Sequence, residues 1–298
     1  MSRVDSYAPA QGASAQQLTG ISLKPDYVDE LLLQKANIGF VEIHAENYMV
    51  DGGAFHEHLA AINQKYALSI HGVALSIGGH EPLSMQHLKQ LRTLCDRYQP
   101  FMFSEHLAWC RYGQQYFNDL LPIPYQTQTL AVVCDHVEQV QDYLGRQILI
   151  ENPSAYVGFS GQTMSETEFL HRLVDKTGCG LLLDINNVYV SCKNLKLSPY
   201  QYLHSFPYQA VKEIHLAGHT EIADPDSNIW LVDSHGEPVC NDVWTLYDEV
   251  IRHVQVPSLL ERDQNIPPLQ ELLNEASIVT HKLELMMEKA YEPLATAV

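Results

Sequence analysis

The sequence predicts an α/β protein built as a single (β/α)8 barrel, and three observations carry that prediction. Eight short apolar runs recur along the chain: Gly20–Leu23, Phe40–Glu46, Leu68–Gly72, Phe101–His106, Ile148–Asn152, Leu181–Asn187, Glu213–His219 and Ser258–Asp263. Buried parallel strands are apolar throughout because helices cover them. Most of the runs end in His, Glu, Asp or Asn, and the C-terminal end of a barrel strand is where this fold places its chemistry. Segments of helical length separate the runs, with no Ser/Gly linker between Gly20 and Lys289, which points to one domain. The expected division is a flexible N-terminal segment over 1–19 and a metal-binding barrel domain over 20–298.

The intervening segments justify themselves in order. Pro25 near a first turn opens a helix to Ala36, with Val28, Leu31 and Leu32 on one face. Ala54–Tyr66 carries Phe55, Leu59 and Ile62 at helical spacing. Ser84 is an expected N-cap for a helix through Leu88, Leu91 and Cys95. Tyr125–Leu144 repeats Leu130, Val133, Val137 and Val140. Ser165-Glu-Thr-Glu is a capping box ahead of Phe169, Leu170 and Leu173. Ser198–Phe206, Asp242–His253 and Leu269–Lys289 complete the set. Two connections, Trp109–Pro124 and Thr220–Val239, are longer than a barrel needs. Loops after barrel strands face the active mouth, so these are expected to wall a substrate site.

Composition narrows the function. The chain has 298 residues, 46% of them hydrophobic, and a formal net charge of −18. Phosphate backbones ask for a basic surface, so no nucleic-acid partner is expected. No apolar run approaches the ~20 residues of a membrane span, and Met1–Thr19 lacks the apolar core of a secretory signal. The expected setting is cytoplasmic, with no membrane partner. The six cysteines form no C-x-x-C pair, so reduced, buried thiols are the expectation. Cys192, just past a loaded run, is the one with a second reading.

The run ends converge on one chemistry. They offer His71, then Glu105 and His106, Glu151 and Asn152, and Asp184, Asn186 and Asn187. The later runs offer His215 and His219, a following Asp233-Ser-His235, and finally Glu261 and Asp263. Each carboxylate alone could cap a helix or pair with an Arg, but Arg262 is the only lysine or arginine within these runs. So many carboxylates without cations would repel one another. Imidazole and carboxylate without thiolate suit iron, manganese or zinc in a catalytic setting. The donors exceed what one ion takes, so two or three bridged ions are expected. Glu42, His44 and Glu46 alternate with apolar neighbours and share one face, as outer partners or as a polar barrel interior.

Several phrases together resemble a known family: His71-Gly-Val-Ala-Leu-Ser-Ile-Gly-Gly, Ser104-Glu-His-Leu-Ala-Trp, Leu120-Leu-Pro, Leu149-Ile-Glu-Asn-Pro-Ser, Leu183-Asp-Ile-Asn-Asn-Val-Tyr-Val, Glu213-Ile-His-Leu-Ala-Gly-His and Ile266-Pro-Pro. The chain is similar to the multinuclear non-haem iron-dependent oxidative enzymes, typified by the methanobactin-synthesis B-type oxidase. The resemblance spans Gly20 to Ala290. It implies a xylose-isomerase-like barrel with two or three iron ions, zinc or manganese being possible substitutes. It implies iron ligation by His71, His106, Glu151, Asp184, Asn187, His215, Asp233, His235 and Glu261, and places Asp263 and His219 in matching motifs as catalytic groups. It implies dioxygen-dependent oxidation of cysteine in a ribosomally made precursor peptide, with a leader-binding partner protein. Arg262 departs from the family pattern and is expected to alter the pocket wall or pair with Asp263. Two other readings stand beside this one. The first is a divalent-metal hydrolase or isomerase on the same barrel. The second is a non-catalytic docking protein whose ions only hold the mouth together.

Overall fold

The computed structural model describes residues 13–113 and 115–291. The first barrel strand is β1 (Thr19–Ser22), followed by a 3-10 turn at Pro25–Tyr27 and α1 (Val28–Leu33). Next come β2 (Phe40–His44), a 3-10 turn at Ala45–Tyr48, α2 (Ala54–Asn63), β3 (Ala67–Gly72), α3 (Met85–Tyr98) and β4 (Met102–His106). A hairpin of β5 (Trp109–Tyr112) and β6 (Gln115–Leu121) precedes α4 (Thr127–Leu144), β7 (Leu149–Glu151), α5 (Glu166–Thr177) and β8 (Gly180–Asp184). Two helices, α6 (Ile185–Asn194) and α7 (Pro199–His204), lead to β9 (Val211–Leu216). A second hairpin, β10 (Thr220–Ala223) and β11 (Ile229–Val232), is followed by α8 (Asn241–Val250), β12 (Ser258–Leu260) and α9 (Leu269–Tyr291).

Among the described residues, β1, β12, β9, β8, β7, β4, β3 and β2 pair in that order into a closed barrel, with parallel pairing at each step. This is the (β/α)8 barrel that the apolar runs predict. Alternate strand residues such as Ile21, Val41, Ile43, Ile70, Phe103, Ile150, Leu181 and Leu183 are buried in the main apolar core. The residues between them point into the lumen, because a strand turns successive side chains to opposite faces. At the N-terminal end the lumen is closed by Met102, Leu149, Leu182 and Phe101, a separate apolar cluster. Phe40 meets Phe101 edge to face at 5.3 Å. Gly20 is required there, since a Cβ would lie 2.4 Å from the Phe40 ring.

The caps follow the sequence signals. Ser84 accepts from His87 N and Ser165 from Glu168 N. Two of the runs and both long connections differ from expectation. The second run leaves the strand at His44, so Glu46 sits in a 3-10 turn rather than on the strand face. The sixth run ends as strand at Asp184, and Ile185 opens α6. The cause is local: the Asp184 carboxylate accepts from Asn187 N at 2.6 Å, an N-cap that satisfies a free helical N–H. Asn186 and Asn187 therefore project from a helix start. The two long connections contain antiparallel hairpins, β5–β6 and β10–β11.

The segment expected to be flexible, 1–19, lies outside the described residues as far as residue 12. Beyond it, Ala15 and Leu18 are each only 3% exposed and pack into the core. The last residues of the expected domain, 292–298, also lie outside the described residues.

Candidate metal centre

The lumen is layered above its apolar floor. A middle layer holds Glu42, Ser69, Ser104 and Glu213, each two residues before a His on its own strand. The upper layer holds His44, His71, His106, Glu151, Asp184, His215 and Glu261. Strand register fixes their neighbours: His44 lies opposite His71, His106 opposite Glu151, and Asp184 opposite His215. Donor atoms from different strands converge, with Glu151 Oε2 3.1 Å from His71 Nε2 and 3.2 Å from His106 Nε2. His215 lies between Glu42 Oε1 at 3.1 Å and Glu261 Oε2 at 3.2 Å. His235 reaches Asp233 Oδ1 at 2.7 Å and Glu261 Oε2 at 3.4 Å.

These donors form interlocking groups. His71, His106 and Glu151 make one; Glu151, Asp184 and His215 a second; Asp184, His235 and Glu261 a third, each with donor atoms within 4.8 Å of one another. Glu151 and Asp184 are shared, which is the arrangement a bridging carboxylate requires. The contacts are close yet poorly aligned as hydrogen bonds. Glu151 Oε2, Asp184 Oδ2, Asn187 Oδ1, both ring nitrogens of His215 and His235 Nε2 are buried without a hydrogen-bond partner. Buried polar atoms are normally satisfied, and a set of unpartnered oxygens and imidazole nitrogens facing one centre fits divalent cations.

The charges tell the same story. Burial would raise Glu151, but His106 and His71 overrule it and bring the carboxyl down to about 2. Burial likewise opposes ionisation of Glu261, and His235 with His215 holds it well below the usual range. Burial disfavours imidazolium, yet Glu42 and Glu261 hold His215 well above its ordinary value. Asp233 and Glu261 do the same to His235. Burial and then Glu151 push Asp184 well up. Protons on His215 and His235 thus supply positive charge, and a proton on Asp184 removes a negative one, in a layer to which no described lysine or arginine contributes.

Outer contacts orient the donors. Ser104 Oγ lies 2.7 Å from His71 Nδ1, and His106 Nδ1 donates to Gly72 O at 3.2 Å. Each leaves Nε2 facing the cluster. Asn187 Nδ2 donates to Glu151 Oε1 and to Asn152 O. The Asn152 side chain joins the two strands by donating to Asp184 O and accepting from Asp184 N. His235 has φ 49°, a strained conformation for a residue with a side chain.

The other expected residues are placed as follows. Asp233 joins through His235 and accepts from Asn186 Nδ2 at 2.8 Å. His219 meets Asn186 Oδ1 at 2.8 Å, so it reaches the cluster only through that amide. Asp263 pairs with Lys24 at 2.5 Å and lies 3.5 Å from His235. His44 Nε2 lies 3.3 Å from Glu261. Glu105 faces away from the lumen; a Cβ on Gly72 would lie 2.3 Å from its carboxylate, and this close approach requires the glycine. Arg262 corrects the expectation. Its guanidinium turns outward to Glu275 Oε2 at 3.1 Å, while Lys24 takes Asp263. Glu46, freed from the strand, accepts from Val73 N and Ala74 N and pairs with His87.

Glu213 is the donor that the sequence reading passed over. With Glu42 and His215 it forms a further group of potential ligands, and Ser69 Oγ donates to Glu42 at 2.7 Å. The two-residue spacing Glu213-Ile-His215 was the available signal. The described cysteines are free. Cys192 is buried, and burial pushes its thiol up to about 12, so it stays protonated.

These features define a (β/α)8 barrel with a cluster of His and carboxylate donors at its C-terminal mouth. The chain belongs to the family described as "RiPP precursor modification enzyme MbnB/TglH/ChrH", whose model matches residues 18–284. A UPF0276 protein of Bordetella pertussis is 50% identical over 273 residues, 91% of this chain and 94% of that one. Another, from Vibrio parahaemolyticus, is 41% identical over 93% of this chain and 95% of its own length. Among solved structures, a xylose isomerase-like TIM barrel protein from Mycobacterium smegmatis superposes with a TM-score of 0.58 at 12% identity. It covers 92% of this chain and 99% of its own. A D-tagatose 3-epimerase-like protein does so with a TM-score of 0.56 at 14% identity, covering 91% and 98%. The barrel is therefore xylose-isomerase-like. No helix among the described residues is long and apolar enough to cross a membrane.

Proposed function

We propose that this chain is an iron-dependent oxidase that uses dioxygen to modify cysteine in a ribosomally made precursor peptide. The observation that carries the reading is the set of buried, unpartnered oxygens and imidazole nitrogens at the mouth. The ions would be held by His71, His106, Glu151, Asp184, His215, Asp233, His235 and Glu261, with Asn187 positioning Glu151. Iron bound there would supply redox chemistry toward dioxygen and a position that lowers the pKa of a substrate thiol.

The chain's own residues prepare that site. Ser104 and the Gly72 carbonyl fix the rings of His71 and His106. Asn152 locks the carboxylate-bearing ends of β7 and β8 together. No described cysteine joins the donor groups, so a substrate thiolate would meet no competing protein sulfur. A cavity of about 300 Å³ bounded by Ser22, Lys24, His44, Asn47 and Tyr48 leaves the mouth open beside His44. An open approach fits a catalytic site better than ions that only hold the barrel together. A leader-binding partner protein would present the peptide.

The test is mass spectrometry of a Cys-containing peptide after aerobic incubation with iron-loaded protein. An oxidised product that requires both iron and oxygen is the expected result, and the Cys→Ser peptide should be inert. Equal activity with zinc, or activity without oxygen, overturns the reading in favour of a hydrolase or isomerase.

A further inference from the structure

Beside the mouth, a second cavity separates the barrel from the β5–β6 hairpin. It measures about 440 Å³ and is bounded by Val73, Ala74, Cys110, Tyr116, Phe117 and Leu120, together with the polar Asn118 and Asp119. We infer that this cavity is a specificity pocket for an apolar side chain of the peptide, two residues from the cysteine that reacts. The inference rests on the proposed reading of the mouth as a peptide-modifying site and adds which neighbouring residue the site selects.

Position carries the argument. Val73 lies two residues beyond His71, in the bend that follows β3, and two residues of chain span at most ~7 Å, so the pocket edge begins within that reach of the His71 backbone. In an extended peptide, residues two apart point the same way at this same spacing. A cysteine directed at His71, His106 and Glu151 would therefore present its second neighbour to the cavity.

The walls are built to stay open and to take an apolar group. Glu46 accepts from Val73 N and Ala74 N, which fixes the barrel side. Cys110 N donates to Ser76 Oγ, and its sulfur donates to Val73 O at 3.7 Å, so the floor offers no free polar group there. Phe117 packs edge to face on Trp109 at 5.4 Å. It is nevertheless 39% exposed, with Tyr116 50% exposed. Aromatic rings left open beside an apolar cavity are surface that a ligand would bury. The strand that carries them, β6, pairs only with β5 among the described residues.

The experiment measures affinity and turnover of the iron-loaded full chain on synthetic peptides with one central Cys. The residue two positions away, on either side, is Leu, Phe, Ser or Asp. Leu or Phe on one side should bind about tenfold or more tightly than Ser, the effect of burying one apolar side chain. Phe117→Ser and Leu120→Ser should each erase that preference while metal content by mass spectrometry stays at the wild-type level. Equal affinity across the panel, no binding at all, or a preference that survives both substitutions overturns the pocket. The two readings fail separately. A preference without turnover keeps the pocket and sinks the oxidase; turnover without a preference does the reverse.

Discussion

The floor and the mouth of this barrel are carried by the same strands, yet they solve opposite problems. At the floor, Met102, Leu149 and Leu182 fill the lumen with side chains that are 2% exposed or less. These three side chains carry no polar group to satisfy. A few residues further along the same strands stand His106, Glu151 and Asp184; the two carboxylates are buried just as deeply, and each has an oxygen that finds no partner. The floor gains stability from burial and packing. The mouth gives stability up, because removing charges from water costs several kcal/mol per ion unless they are well paired. Strand geometry is the same at both ends, so the chemistry of the side chains alone separates a structural end from a functional one.

The sharpest way to break that comparison is at Glu151, the carboxylate shared between two donor groups. Glu151→Gln should remove more than one ion, measured by inductively coupled plasma mass spectrometry. Activity should fall by more than the ~10–100-fold typical of losing an outer partner. Loss of one ion with the others retained would remove the bridging role.

The next largest effect is the exchange of protons for metal. In metal-free protein, His215 and His235 are held above their ordinary 6.5. Their stabilisation is complete below 6.5 and is lost as pH rises through the raised values. Asp184 and Glu213, also raised, favour their protonated forms in the fold and add to the same loss. Glu151, brought down to about 2, acts oppositely: its contribution is present above 4.5 and lost as pH falls toward 2. The Tm of metal-free protein should therefore fall from pH 6.5 into the alkaline range. Iron-loaded protein should hold its Tm there, because cations replace the protons. Calorimetry showing parallel curves for the two forms would contradict this account of the mouth.

At the floor, Leu182→Ala should lower stability by ~2–5 kcal/mol through lost burial and a residual cavity, read from urea unfolding. Iron stoichiometry of the protein that remains folded should be unchanged. A loss of iron would show that floor packing also shapes the mouth. The smallest change is Ser104→Ala, which frees His71 Nδ1. Metal affinity by chelator competition should weaken by ~10–100-fold, with little effect on unfolding in the metal-free state. An unchanged affinity would mean that packing alone orients His71.

Much of this was legible along the chain because it is local. The strand period, the capping residues Ser84 and Ser165, and polar residues at strand ends depend on neighbours within a few positions. The same period separates His106, facing the lumen, from Glu105, facing away. Asp184 shows the limit of that reading. It ends an apolar run that continues through Ile185, and only its own N-cap decides that Asn187 points to Glu151 from a helix.

The sequence by itself determined the barrel and the polar residue types that stand at its strand ends, since both follow from residue type and spacing. The tertiary structure alone decided which donors meet. Glu42 on β2 faces His215 on β9 across the lumen, and Ser69 joins Glu42 and Glu213 from a third strand. It also decided that Arg262 turns to Glu275 on α9 while Lys24 on the first loop takes Asp263. Local pattern fixes the face on which a side chain stands. What stands opposite depends on how the closed barrel staggers its strands, a property of all of them together.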